Sequence, residues 1–148
     1  MDREYRAAQL FTEGYNCAQA VIMAFSDLIG MDEKACAKIS SSFGGGMGRM
    51  REVCGAVSGM LMVAGILYGY DGPEEGTIKK EHYTRVQELA ESFRADAGSI
   101  ICREILKNPP SDPNPSPRTE EYYKQRPCVR MVTTAVRAME TYIENHPL

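Results

Sequence analysis

The sequence predicts an all-α fold, a single-domain helical bundle of about six to seven helices around a central Gly-rich apolar helix. Three observations predict it. Apolar residues recur at spacings of three and four along almost the whole chain, and the strict alternation of strands is absent. One stretch, "REVCGAVSGMLMVAGILYG" at 51–69, is far more apolar than its amphipathic neighbours, as if they were built to pack around it. The 148 residues, 43% apolar and 25% charged, can bury one core of the soluble globular kind.

Taken in order, a first helix is expected over about 2–12. A second opens after Asn16 and runs to about Ile29, with Cys17, Ala20, Val21, Ala24 and Leu28 on one side. Asp32 is placed to cap a third, which ends near Ser40. The connector "SSFGGGMG" leads into the central helix, expected from about Met50 to Tyr68. "GYDGPEEG" then reads as a turn and a helix start, with Pro73 and the acids Glu74 and Glu75 in the first turn. That helix reaches about Ala97, with His82, Val86, Leu89, Phe93 and Ala97 on one face, and Gly98 ends it. Ser99 is placed to cap a short helix to about Lys107. "NPPSDPNPSPR" puts five prolines between 109 and 117, which rules out helix, so a Pro-rich loop is expected over about 108–118. The last helix runs from about Pro127 to Glu144, with Val129, Val132, Val136, Met139 and Ile143 as its inner stripe. No internal repeat or second domain is evident, and the expected domain is 1–148.

Composition removes several function classes. A net charge of −3 creates no field that recruits nucleic acid. The charged N-terminus "MDREYRAAQLFTEGYN" has no apolar region of the signal-peptide kind, so a cytoplasmic location is the expectation. Residues 53–70 lack charge and include the small-xxx-small spacing Gly55 to Gly59, which invites a membrane reading. The glycines dilute its hydrophobicity and no positive flank orients it, so a buried helix is expected and no stable membrane span. Five cysteines, an odd number, do not suggest a permanent disulfide framework in a reducing compartment.

The cysteines carry the chemistry. At 17, 36, 54, 102 and 128 they form no CxxC pair, which removes the usual zinc knuckle and the thioredoxin-type dithiol. Four of them fall at or near expected helix N-termini. Cys17 follows Asn16, Cys102 comes three residues after Ser99, Cys128 follows Pro127, and Cys54 lies close to the glycine connector. Unpaired N–H groups and the helix dipole favour thiolate there, making a better nucleophile or metal ligand. Arg49, Arg51, Arg103, Arg126 and Arg130 stand near these cysteines in sequence and would act in the same direction. A single free cysteine is most often apolar filler. Four in one kind of position point to a shared site of Cys17, Cys54, Cys102 and Cys128, with Cys36, inside its helix, left as filler. Cys54 is the choice for central thiol, because Gly55 and Gly59 clear space beside it for a partner sulfur, substrate or cofactor.

Cys54-Gly55-Ala56-Val57-Ser58-Gly59 fits a CGAxxG signature, and with "GYNCAQAV", "CREIL" and "RPCVRMV" it resembles the C_GCAxxG_C_C family of small redox-active proteins over nearly the whole chain. The resemblance implies that Cys17, Cys54, Cys102 and Cys128 are the family's cysteine set and that Cys36 lies outside it. It brings no substrate or reaction.

Other candidate sites are weaker. "FGGGMGRMR" lacks the Gly-Lys-Ser/Thr ending of a P-loop and fails GxGxxG, although an anion could lodge at the following helix N-terminus. His82, on an apolar face, reads as a core or rim histidine and His146 as solvated; the nine methionines read as core filling. Three functions stay open. The four thiols could run thiol/disulfide or electron-transfer chemistry with an unidentified redox partner or small-molecule substrate. They could instead ligate an iron–sulfur cluster or zinc. The chain could also be a non-enzymatic helical interaction module with structural cysteines. The Gly55/Gly59 face would suit contact across a homodimer.

Overall fold

The computed structural model describes residues 2–73 and 76–148. Among them nine α-helices follow one another: α1 (Arg3–Thr12), α2 (Cys17–Met23), α3 (Ser26–Ile29), α4 (Glu33–Ser40), α5 (Gly55–Tyr68), α6 (Thr77–Ala97), α7 (Cys102–Ile105), α8 (Glu120–Gln125) and α9 (Cys128–Asn145). The all-α prediction is met, and the extra helices are short ones. Extended pairing among the described residues is confined to one antiparallel bridge, Val53 to Ile101.

Local chemistry accounts for most starts. Asp2 Oδ1 accepts from the Tyr5 N–H at 3.0 Å, and Asp32 Oδ1 from the Ala35 N–H at 2.9 Å. Asn16 and Gln19 form a reciprocal capping box at the head of α2. Thr119 Oγ1 accepts from the Tyr122 N–H at 3.2 Å and starts α8. At the far end of α6, Gly98 takes φ +88 and closes the helix as expected.

The helix predicted over 17–29 is broken. Arg3 Nη1 donates to the Ala24 carbonyl at 2.8 Å, and the Arg3 guanidinium lies 5.1 Å from the centre of the buried Phe25 ring. Long-range anchoring therefore takes the carbonyl that a continuing helix would have used, and Leu28 ends up exposed rather than on the inner side. The central helix starts at Gly55, five residues later than expected. Before it, the connector crosses into left-handed backbone at Gly45, Gly46, Met47, Gly48, Arg49 and Arg51. Ser99 does not cap α7; Ile101 holds that position in extended backbone, and Ser99 Oγ accepts from the Ile101 N–H at 3.0 Å. That helix also stops early, because Lys107 and Asn108 turn left-handed at φ +57. The Pro-rich loop is free of helix, but α8 follows it where none was expected. The helix expected from Pro73 opens at Thr77, and the expected acids Glu74 and Glu75 lie outside the described residues.

One apolar core draws residues from α1, α2, α5, α6 and α9, with Phe11, Phe25, Met60, Phe93, Met131 and Met139 among its largest fully buried side chains. Helix α5 runs through it, and α2 lies directly against it. A Cβ at Gly59 would stand 2.6 Å from the Ala18 carbonyl oxygen, and one at Gly55 would stand 3.2 Å from Cys17 Cβ. Two hydrogens where side chains would otherwise be let α2 and α5 touch backbone to backbone. Because α2 of the same chain fills this face, it is not free to meet a second copy. No helix of the described residues is long and apolar enough to cross a membrane.

Candidate functional site

Four helix starts meet at one end of the bundle. Cys17 and Cys128 are the first residues of α2 and α9, Cys102 the first of α7, and Cys54 immediately precedes α5. The Val53–Ile101 bridge holds two of these starts side by side: the Cys54 N–H donates to the Ile100 carbonyl at 2.7 Å, and the Cys102 N–H to the Glu52 carbonyl at 2.6 Å. The close α2–α5 contact brings Cys17 to the same place. Cys17, Cys54, Cys102 and Cys128 consequently line one cavity of about 60 Å³. All four are free thiols. Gly55 borders the cavity, whereas Gly59 is not among its walls and serves the helix contact below. Cys36 is fully buried elsewhere, its Sγ 3.6 Å from the Met31 carbonyl oxygen.

The four thiols are not equivalent. A hydrogen bond from Cys17 favours the thiolate of Cys128 most, and Arg126, Arg118 and Arg51 add to it, so its pKa falls from the ordinary 9.0 to about 7 against the cost of burial. Cys17 keeps the shared proton: that same bond to Cys128, followed by burial, pushes its own ionisation well up. Burial pushes Cys54 to about 12, against which the N–H groups of Ala56 and Val57 have only a partial effect. Cys102 is also raised by burial, although Arg51 Nη1 donates to its sulfur at 3.8 Å. Helix-end placement therefore does not ionise all four, because desolvation outweighs it at Cys54 and Cys102 and the bond to Cys128 outweighs it at Cys17. The thiol favoured as thiolate is Cys128, where an S–H donor and three guanidiniums add to the helix start, whereas burial pushes Cys54, the expected central thiol, the other way.

The cations sort themselves equally clearly. Arg51 is buried, with Nε donating to the Pro110 carbonyl at 2.9 Å. Arg126 lies over the Tyr122 ring at 5.0 Å. Arg118, which the sequence reading did not single out, reaches in from the Pro-rich loop and donates to the carbonyls of Phe11 and Tyr15 at 2.9 and 3.1 Å. It stacks on Phe11 at 4.4 Å and on Tyr122 at 5.0 Å. Its distance in sequence from every cysteine is ten residues or more, and adjacency gave no signal for it. Arg103 instead pairs with Glu52, and Arg130 turns to the Asp96 carbonyl.

Among the described residues, no three His, Cys, Asp or Glu side chains are grouped to hold a single metal ion. His82 is half-buried on α6, 2.8 Å from Arg85 Nη1, and His146 stacks on Tyr142; neither lines the cavity.

What the arrangement offers is a thiolate beside a second thiol, in a cavity large enough for a sulfur and little more. Neither the curated proteins nor the solved structures contain a match to the chain. The family model described as "Putative redox-active protein (C_GCAxxG_C_C)" matches residues 15–142, and the chain belongs to that family.

Proposed function

We propose that the protein carries out two-electron thiol–disulfide exchange, with Cys128 as the attacking thiol and Cys17 as the resolving one. The observation that carries this is the convergence of Cys17 and Cys128 on one small cavity, where Cys17 favours the thiolate of Cys128, at about 7, and retains its own proton. A thiolate near ambient pH is the best compromise between ionised fraction and nucleophilicity.

The Cys128 thiolate attacks one sulfur of a substrate disulfide. The Cys128–substrate bond forms, the substrate S–S bond breaks, and the first substrate thiolate leaves with the electron pair. Cys17, its proton passed to that leaving thiolate, then attacks Cys128 Sγ. A Cys17–Cys128 disulfide forms and the second substrate thiolate departs. The substrate disulfide is reduced to two thiols and the protein dithiol is oxidised by the same two electrons; the reverse sequence oxidises a substrate dithiol. Cys54 and Cys102, protonated at neutral pH by burial, form the remaining sulfur wall.

The test is peptide mapping by mass spectrometry after the reduced, anaerobic protein meets a small disulfide. A Cys17–Cys128 disulfide is expected in the native chain, a mixed disulfide trapped on Cys128 in Cys17→Ser, and neither product in Cys128→Ser. Four thiols inert to every disulfide, or stoichiometric metal held by them in the purified protein, would overturn the reading.

A further inference from the structure

The thiol cavity is too small for a substrate body, so whatever brings a sulfur to Cys128 must rest its remaining atoms outside. Just outside lies a basin of about 390 Å³ between the glycine-rich connector and the Pro-rich loop. Asn16, Gly45, Arg51, Arg118, Tyr122 and Arg126 line both spaces, so the basin is the antechamber of the thiols. Arg49 joins from the connector, giving the basin four guanidiniums and no carboxylate in its lining.

Those charges are held in place without being neutralised. The ion pairs among the described residues all lie elsewhere, at Arg3, Arg6, Arg94, Arg103 and Arg137. Arg51 and Arg118 are fixed by backbone carbonyls, and Arg118 and Arg126 each lie 5.0 Å from the centre of the Tyr122 ring. Arg126 adds only a 3.4 Å bond to Ser116 Oγ. Exposed Asp112 feels Arg49 without forming an ion pair with it. Arg49 itself is the most telling residue. Its Nε and Nη1 are buried and have no hydrogen-bond partner among the described residues, while Nη2 reaches the Pro110 carbonyl only at 3.5 Å. Arg49 also sits at φ +66 in a connector that holds Arg51 at φ +62, backbone that non-glycine residues seldom adopt. A buried charged donor without an acceptor is costly and calls for a missing partner. In a chain whose net charge is −3, this concentration of positive charge is local.

We propose that this basin seats the oxyanion groups, carboxylate or phosphate, of a small anionic disulfide or thiol whose sulfur is presented to Cys128. The proposal rests on the thiol–disulfide reading for what the seated molecule does, but the seat itself can be tested without it. Guanidinium forks suit both oxyanions in two-pronged geometry.

The experiment measures binding of two redox-inert probes, inorganic phosphate and succinate, to the reduced protein by calorimetry at low salt. Saturable binding of one or both is expected, weakening as salt rises; which probe binds tighter distinguishes phosphate from carboxylate. Arg49→Gln should weaken it about tenfold or more, with Arg49→Lys recovering part. Because Arg126, Arg118 and Arg51 are the cations that lower the Cys128 pKa most, the pH profile of Cys128 alkylation should move less in these variants than in Arg126→Gln. If Arg49→Gln disturbs folding, Arg126→Gln, on a separate segment, should give the same loss of binding. Absence of saturable binding by either probe, or binding indifferent to both substitutions, overturns the proposal. A second measurement compares exchange rates with dithiobis(nitrobenzoate), which carries two carboxylates, and neutral dithiodipyridine, each normalised to a free thiol. Preference for the anionic disulfide, reduced by Arg49→Gln, supports the seat. Equal normalised rates would defeat it while leaving thiol–disulfide exchange intact, and probe binding without reaction at either disulfide would defeat the exchange reading alone.

Discussion

At the scale of single residues, Cys128 owes its low pKa chiefly to one hydrogen bond. The Cys17 thiol comes first among the causes, ahead of Arg126, Arg118 and Arg51. Removing the donor should therefore do more than removing any one cation. Alkylation by iodoacetamide, followed residue by residue across pH in reduced protein, should show Cys128 reacting with a midpoint at about 7. Cys17→Ala should move that midpoint up toward the ordinary thiol value, and Arg126→Gln should move it in the same direction by less. Cys54 should stay unreactive through neutral pH, since burial holds it at about 12. A Cys128 midpoint insensitive to Cys17→Ala would mean that the charges, and not the thiol, set its ionisation. Arg51 and Arg126 were legible beside their cysteines in the sequence. Arg118 was not, because its role arises from the path of the Pro-rich loop across Phe11 and Tyr15.

At the scale of elements, the glycines of α5 divide into two kinds. Gly59 meets the Ala18 carbonyl oxygen, so Gly59→Ala must push α2 away from α5 and should cost about 1–3 kcal/mol, as overpacking does. Gly65 is exposed, and a Cβ there would have nothing within 4 Å. Nothing in the structure explains Gly65; Gly65→Ala should stabilise by about 0.5–1 kcal/mol through helix propensity and a less flexible unfolded chain. Urea denaturation of both variants checks the pair of opposite signs. The helices themselves were largely legible, since α1, α4, α6 and α9 announce themselves by period and by caps such as Asp32 and Gly98. The short pieces were not. The break after α2 depends on Arg3 reaching Ala24 from another helix, and α8 is too brief to show a period. The connector was recognised as glycine-rich, but its left-handed turns extend through Met47, Arg49 and Arg51, which no local preference would suggest.

At the scale of the whole molecule, four thiols in one cavity make stability depend on pH in two opposite ways. Cys128 ionises more readily when folded, at about 7 against an ordinary 9.0. The unfolded chain therefore binds more protons across that interval, and stability rises with pH from about 7 to 9. Below 7 this contribution is gone. Cys54 is the reverse case, since its folded value of about 12 lies above the ordinary one. Its contribution is complete below 9.0 and is lost as pH climbs toward 12. Cys17 and Cys102 are raised too and act in the same direction as Cys54. Urea midpoints measured in reductant should accordingly climb to a maximum near 9 and then decline. Each thiol contributes a slope of at most about 1.4 kcal/mol per pH unit within its own window. Cys128→Ala should flatten the rise and, by removing the bond that chiefly raises Cys17, also make the decline shallower, whereas Cys54→Ala should make the decline shallower and leave the rise in place. Comparing slopes rather than absolute stabilities keeps the cavity left by each truncation out of the comparison. Oxidising Cys17 and Cys128 to a disulfide removes both titrations at once, so the oxidised protein should lose the rise below pH 9 and keep the part of the alkaline decline that belongs to Cys54 and Cys102.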